Sequence, residues 1–155
     1  MKNNANPNDK INIRGVMFDN VTFDEAVDRL VSSLDSGKKC ALFTPNSEIV
    51  QSCIDDSSLY SIINSAELII PDGIGVVIGA KLLSGKPQGR VPGIELASKL
   101  LEYSALVQKR VFFLGAKPGV AEEAAANCIL KYEGLEVVGT HHGYFSEKQD
   151  QEVIE

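Results

Sequence analysis

The chain has 155 residues, 44% hydrophobic and 23% charged, the composition of a globular protein with room for a substantial core. A formal charge of −6 argues against nonspecific nucleic-acid binding, which draws its affinity from Lys and Arg neutralising phosphates. Lys81 and Lys86 interrupt the most hydrophobic region, 76–83, well short of the roughly 18 apolar residues that a bilayer span needs.

Residues 1–10 are rich in Asn and lack an apolar core, so they read as a disordered tail and not a signal peptide. A single α/β domain is expected over 11–155. Ile11–Arg14 and Val16–Phe18 are short strands broken at Gly15. Thr22 and Glu25 have capping-box spacing and open a helix whose apolar face is Ala26, Val27, Leu30, Val31 and Leu34, ending at Gly37. A strand is expected at Cys40–Phe43. Asn46 or Ser47 then caps a helix carrying Ile49, Val50, Cys53 and Ile54, and a second short helix spans Ser57–Asn64. The strand Leu68–Ile70 leads to a buried helix with Val76, Val77, Ala80 and Leu83, closed by Gly85. Pro92 opens the next helix, with Ile94, Ala97, Leu100 and Leu101 at helical spacing. Arg110–Leu114 is a strand, Val120–Tyr132 an Ala-rich helix and Val137–Thr140 a further strand. Ser146 and Gln149 cap a last helix that stops at Glu155 with no strand after it, the pattern of an N-terminal portion of a longer protein.

Helices thus alternate with strands that are continuous apolar runs, which predicts a Rossmann-like α/β fold: a mostly parallel sheet flanked by helices on both faces. Cys40, Cys53 and Cys128 are odd in number and set among apolar residues, so they read as buried reduced thiols in a cytosolic protein. His141 and His142 are adjacent near a strand end, so their side chains should point to opposite faces, which disfavours a shared metal. No Asp-x-Asp motif is present to hold a divalent ion, and no cofactor is expected.

Two segments stand where a strand gives way to a helix: Thr44-Pro45-Asn46-Ser47-Glu48 and Pro71-Asp72-Gly73-Ile74-Gly75. In an open parallel sheet the crevice outside the carboxyl ends of the strands is where ligands bind. Asp72, in a Pro-Asp-Gly turn, either caps its own backbone or serves as a general base. Capping explains Asn46 or Ser47, but not both, and not the Thr44 hydroxyl held extended by Pro45. Arg90, in Gly89-Arg90-Val91-Pro92-Gly93, either grips a phosphate or is simply solvated. Gly115-Ala116-Lys117-Pro118-Gly119 is either a plain tight turn or a loop whose helix N-terminus receives a phosphate; it has neither Walker nor dinucleotide-binding spacing. From Lys81 to Lys117 seven basic residues face only Glu95 and Glu102, a local net charge of +5 against −11 elsewhere. Such asymmetry suits anionic ligands or lipid headgroups, or merely reflects solvated Lys-rich helix faces.

Together with Phe113-Leu114-Gly115-Ala116-Lys117-Pro118-Gly119-Val120, these motifs in this order resemble the WecG/TagA/CpsF glycosyltransferase family, from about Ile11 onward. The resemblance implies inverting transfer of N-acetylmannosamine from a UDP-sugar donor to the 4-hydroxyl of N-acetylglucosamine on a polyprenyl diphosphate. By the same resemblance Asp72 matches the proposed base, Thr44 and Asn46 the polar groups beside it and Arg90 a pocket cation, with Gly115, Lys117 and Gly119 as diphosphate contacts. It further implies a cytoplasmic enzyme, peripheral on the inner membrane face and homo-oligomeric. Family members run well past this length, with another pocket glutamine and a basic C-terminal segment thought to touch the membrane. Transfer of N-acetylmannosaminuronic acid, or a non-catalytic nucleotide-binding or assembly module, are the alternative readings.

Overall fold

A computed structural model describes residues 10–84 and 89–145, which fall into two compact units divided between Ala97 and Ser98. The expected tail over 1–9, the stop at Gly85 and the cap at Ser146 and Gln149 lie outside the described residues.

The first unit opens with an antiparallel hairpin, β1 (Lys10–Ile13) and β2 (Val16–Asp19), paired from Lys10↔Asp19 to Ile13↔Val16. Lys10 therefore belongs to a strand. Arg14 and Gly15 make the two-residue turn at φ 51° and 92°, the left-handed geometry that matches strand twist. Gly15 is required twice over, because a Cβ there would stand 2.9 Å from Cε2 of Tyr60. Ile11, Ile13, Val16 and Phe18 alternate inward to a core completed by Val50, Cys53, Ile63, Ile69, Val76 and Ala80.

Helix α1 (Phe23–Ser36) carries the full capping box: Glu25 N–H donates to the Thr22 hydroxyl and Thr22 N–H to the Glu25 carboxylate. Next come β3 (Leu42–Phe43), α2 (Ser47–Asp55), α3 (Ser57–Asn64) and β4 (Leu68–Ile69). β3 and β4 pair in parallel, Leu42↔Leu68 and Phe43↔Ile69, with the two helices forming the connection that parallel strands need. Both strands are shorter than their apolar runs. Helix α4 (Ile74–Ser84) follows and packs on β1.

α4 departs from the expected buried helix. Val76 and Ala80 are buried, but Ile74, Ile78 and Leu82 on the opposite side are exposed. Val76 and Ala80 point inward as expected, but a sequence apolar all round does not reveal that the other side is left open. Helix α5 (Gly93–Leu106) likewise buries Leu96 and leaves Ile94 and Ala97 in solvent, contrary to the predicted face.

In the second unit β5 (Arg110–Leu114) and β6 (Glu136–His141) pair in parallel through α6 (Val120–Lys131), a βαβ arrangement with an irregularity between Val111 and Phe112. Two parallel pairs connected through helices make this an α/β protein with Rossmann-like units, although the described sheets have two strands each. Cys53 is buried and its thiol is pushed up by desolvation and by Asp56, whereas Cys40 and Cys128 are only half-buried; all three are free thiols.

Asp19, unremarked in the sequence, ties the first unit together. Its carboxylate is buried, accepts the Ile69 N–H at 2.9 Å, and pairs with Lys10 at 3.3 Å and Arg29 at 3.5 Å. Asp19→Ala strands the Ile69 N–H and should cost about 2–3 kcal/mol, read as a lower urea midpoint; Asp19→Asn, which keeps an acceptor, should cost less. Glu67 supplies a pH test. The Ala41 N–H donates to it at 2.7 Å and holds its carboxyl below the ordinary 4.5. A lowered folded-state value means stability that is present above pH 4.5 and lost as pH falls through the folded value. Glu67→Gln should flatten that acid limb when urea stability is measured against pH.

Candidate functional site

The parallel register of β3 and β4 brings their ends level, and the chain leaves both at one edge. Ile70 N–H donates to Phe43 O at 3.0 Å, one step beyond the last paired residues, and Pro45 is fully buried between Thr44 and Asn46. Val91 N–H donates to Pro71 O at 3.3 Å, which draws the Arg90 loop against the Asp72 turn. Thr44, Asn46 and Asp72, placed at strand ends in the sequence, therefore meet Arg90, from the loop before α5, in the first unit.

Asn46 is the cap of α2: its Oδ1 accepts the Ile49 N–H at 2.9 Å, leaving Ser47 as the first helical residue. The Cβ and Cα of Asn46 lie against Gly73, 3.7 and 3.8 Å from where a Cβ would stand. Asp72 is half-buried and does not cap its own turn. Arg90 grips it instead, with Nε on the Asp72 carbonyl at 2.6 Å and Nη2 on Oδ1 at 3.1 Å. Arg90 is thus neither free-standing nor merely solvated, and its Nη1 has no hydrogen bond among the described residues.

The other carboxylate oxygen, Oδ2, has no hydrogen bond among the described residues and faces the first residue of α5. A Cβ on Gly93 would stand 3.2 Å from Oδ2, 3.1 Å from Cγ2 of Thr44 and 3.5 Å from its Oγ1. Gly93 is the residue that sequence patterning missed: the signal was a Pro-Gly at a helix start, read only as helix punctuation. Its missing side chain lets the start of α5 pack directly against a carboxylate and a hydroxyl. Chemically, the arrangement offers a proton acceptor whose other oxygen is locked by a guanidinium.

Two cavities lie in this unit. One, of about 250 Å³, is lined by Arg14, Ser47, Gln51, Gly75 and the apolar Ile13, Val50 and Val76, on the α2–α4 side of the same cluster. The larger, about 450 Å³ around Arg29, Cys40 and Glu67, lies where β3 and β4 begin, away from the gathered polar groups.

Gly115, Lys117 and Gly119 belong to the second unit. Their loop is pinned to the end of β6, where Gly115 N–H donates to His141 O and Gly143 N–H to Ala116 O, both at 2.9 Å. Gly119 caps α6 without a side-chain hydrogen bond, and the Lys117 side chain is exposed. His141 and His142 do not point apart as expected. Their ring centroids are 4.5 Å apart, because β6 ends at His141 and the chain turns there. Nδ1–H of His141 donates to the His142 carbonyl and His142 Nδ1 accepts the Tyr144 N–H, so both rings are engaged locally. Among the described residues no group of three or more His, Cys, Asp or Glu side chains is placed to hold a metal ion.

Alternating strands and helices make this a Rossmann-like α/β protein, and the carboxylate, hydroxyl, amide and guanidinium gather beside neighbouring parallel strand ends, where folds of this class bind ligands. Residues 11–155 match the model of the glycosyl transferase WecG/TagA/CpsF family, and the chain belongs to that family. Among curated relatives, an N-acetylglucosaminyldiphosphoundecaprenol N-acetyl-beta-D-mannosaminyltransferase of Bacillus spizizenii is 36% identical over 118 residues, 76% of this chain and 46% of the relative. The protein of the same name in Staphylococcus aureus strain NCTC 8325 is 33% identical over 147 residues, 94% of this chain and 57% of the relative. The chain thus spans about half the length of the curated relatives it matches.

The two roles open to Asn46 can be separated. Asn46→Ala should cost about 1 kcal/mol through loss of the α2 cap, and Asn46→Asp should restore the melting temperature. Any loss of ligand affinity that persists in Asn46→Asp then belongs to the side-chain amide. Gly93→Ala should cost about 1–3 kcal/mol by overpacking, seen as a lower melting temperature with displaced Thr44 and Asp72 resonances.

Proposed function

We propose that this chain carries the base-bearing part of an inverting glycosyltransferase that moves N-acetylmannosamine from UDP-N-acetylmannosamine to N-acetylglucosamine on undecaprenyl diphosphate. The printed names of the relatives supply the acceptor and the transferred sugar. The observation that carries the reading is the divided Asp72 carboxylate, Oδ1 held by Arg90 and Oδ2 beside the Thr44 hydroxyl where both pack against Gly93.

In this proposal the acceptor 4-hydroxyl attacks the anomeric carbon from the face opposite UDP. Its proton passes to Oδ2 of Asp72 as the new glycosidic bond forms. The anomeric carbon–oxygen bond breaks, and UDP departs with the electron pair. Thr44 orients the attacking hydroxyl, Asn46 lines the site, and Arg90 offers Nη1 to the negative charge that grows on the leaving diphosphate. Gly115, Lys117 and Gly119, in the second unit, are assigned by themselves to phosphate binding, through backbone N–H groups and one ammonium. An acceptor of this kind is held in a membrane, so the enzyme is assigned to the inner membrane face as a peripheral protein; no described helix is long and apolar enough to cross a bilayer.

Asp72→Asn keeps shape and hydrogen bonding to Arg90 while removing the base. Turnover with UDP-N-acetylmannosamine and the lipid-linked acceptor should fall by roughly 10²–10⁴-fold, with UDP affinity by calorimetry within about twofold. Unimpaired turnover would remove Asp72 from the mechanism. Tight UDP binding without sugar transfer by the unsubstituted protein would favour a non-catalytic nucleotide-binding module.

A further inference from the structure

β4 is held residue by residue, and its two edges are held by different means. On the β3 side Leu68 N–H donates to Ala41 O at 3.2 Å and Ile70 N–H to Phe43 O at 3.0 Å. On the other side, where among the described residues no strand is paired, the Ile69 N–H donates to Oδ2 of Asp19 at 2.9 Å. Ile69 and Ile70 are fully buried and Asp19 is 5% exposed, so solvent does not replace that acceptor. Lys10 of β1 reaches the same oxygen at 3.3 Å and Arg29 of α1 reaches Oδ1 at 3.5 Å, so both oxygens are engaged and the carboxylate is fixed between hairpin and helix.

Three residues beyond Ile69 the chain reaches Asp72, and each step of that path is held. Ile70 is bonded to β3, Pro71 is buried with its carbonyl on the Val91 N–H at 3.3 Å, and Arg90 closes on the carbonyl and Oδ1 of Asp72. Thr44 directly follows Phe43, whose carbonyl receives Ile70. A shift of Ile69 out of line therefore moves Asp72 relative to Thr44, and a displacement of about 1 Å at a reacting group can cost about 10²-fold in rate. Resting on the function proposed above, we infer that Asp19 is a positioning residue for the Asp72 base: its carboxylate stands in for a strand on the outer edge of β4 and fixes the strand end that carries Asp72. Asp19 touches no substrate. Its acceptor oxygen sets the position of β4, whereas the ion pairs with Lys10 and Arg29 hold Asp19 itself in place.

The test compares Asp19→Ala with Asp19→Asn, each well below its melting temperature. Turnover of UDP-N-acetylmannosamine with the lipid-linked acceptor is one readout, and the Nε–H resonance of Arg90, which reports its grip on Asp72, is the other. Asp19→Ala should lower kcat by roughly 10²-fold with KM for the donor within about twofold, and should shift the Arg90 resonance. Asp19→Asn keeps an acceptor for Ile69 but drops the charge. It should melt lower, yet hold kcat within about threefold and leave the Arg90 resonance in place. A kcat for Asp19→Ala equal to that of the unsubstituted protein, a loss of turnover with the Arg90 resonance unmoved, or an Asp19→Asn variant as impaired as Asp19→Ala would each overturn the assignment. Should Asp19→Ala not fold, Asp19→Asn decides alone: turnover and resonance retained support the assignment, and their loss overturns it. The resonance needs no substrate. If the unsubstituted protein transfers no sugar, the catalytic reading falls, while a resonance shift in Asp19→Ala that is absent from Asp19→Asn still puts the placement of Asp72 under the control of Asp19.

Discussion

Everything at the candidate site depends on the alignment of β3 with β4, and that alignment is held by surprisingly little sheet. Two residue pairs define the ladder. Ile70 N–H carries the pairing one step further onto Phe43 O, and on the outer edge of β4 the Ile69 N–H is taken by the buried Asp19 carboxylate instead of by another strand. A side chain from the hairpin thus replaces a missing ladder partner, and a backbone donor that would otherwise be buried and unpaired is satisfied. Because Asp19 also meets Lys10 and Arg29, β1, β2, α1 and β4 are referred to one charged group. Thr44 and Asp72 inherit their mutual position from this arrangement.

The local signals in the sequence translated closely where backbone chemistry decides the outcome. The Thr22–Glu25 box, the α3 span Ser57–Asn64 and the β5 span Arg110–Leu114 coincide with what the residues dictate, since caps, turns and short apolar runs act over a few positions. The inward residues Val76 and Ala80 of α4 were legible, but its uncovered side and the inward face of α5 were not. In α4 nearly every position is apolar, so no contrast marks a side left open, and in α5 Ile94 and Leu96 compete for a face that only tertiary contact resolves. β3 is shorter than its hydrophobic run at its start, where Cys40 and Ala41 precede the first pair Leu42↔Leu68, and β4 at its end, where the chain turns off to Pro71.

At the site the sequence located the polar residues but not their connections. Strand-end position singled out Thr44, Asn46 and Asp72, and a loop between helices Arg90, yet nothing in one dimension pairs Arg90 with Asp72, 18 residues away. Nor does it reveal that Gly93 faces both Thr44 and Asp72. Such relations depend on side-chain reach across loops. The double-faced helix beside them belongs to the same class of information: its composition was visible, whereas its uncovered side was not.

The grip of Arg90 on Asp72 has a further chemical meaning. One guanidinium holds the main-chain carbonyl through Nε and the side-chain carboxylate through Nη2 of the same residue. The contact closes a chelate ring whose size is set by the single methylene between Cα and carboxylate. Because the same guanidinium holds the backbone and the side chain of one residue, the direction of the Asp72 carboxylate is tied to the direction of the turn that carries it.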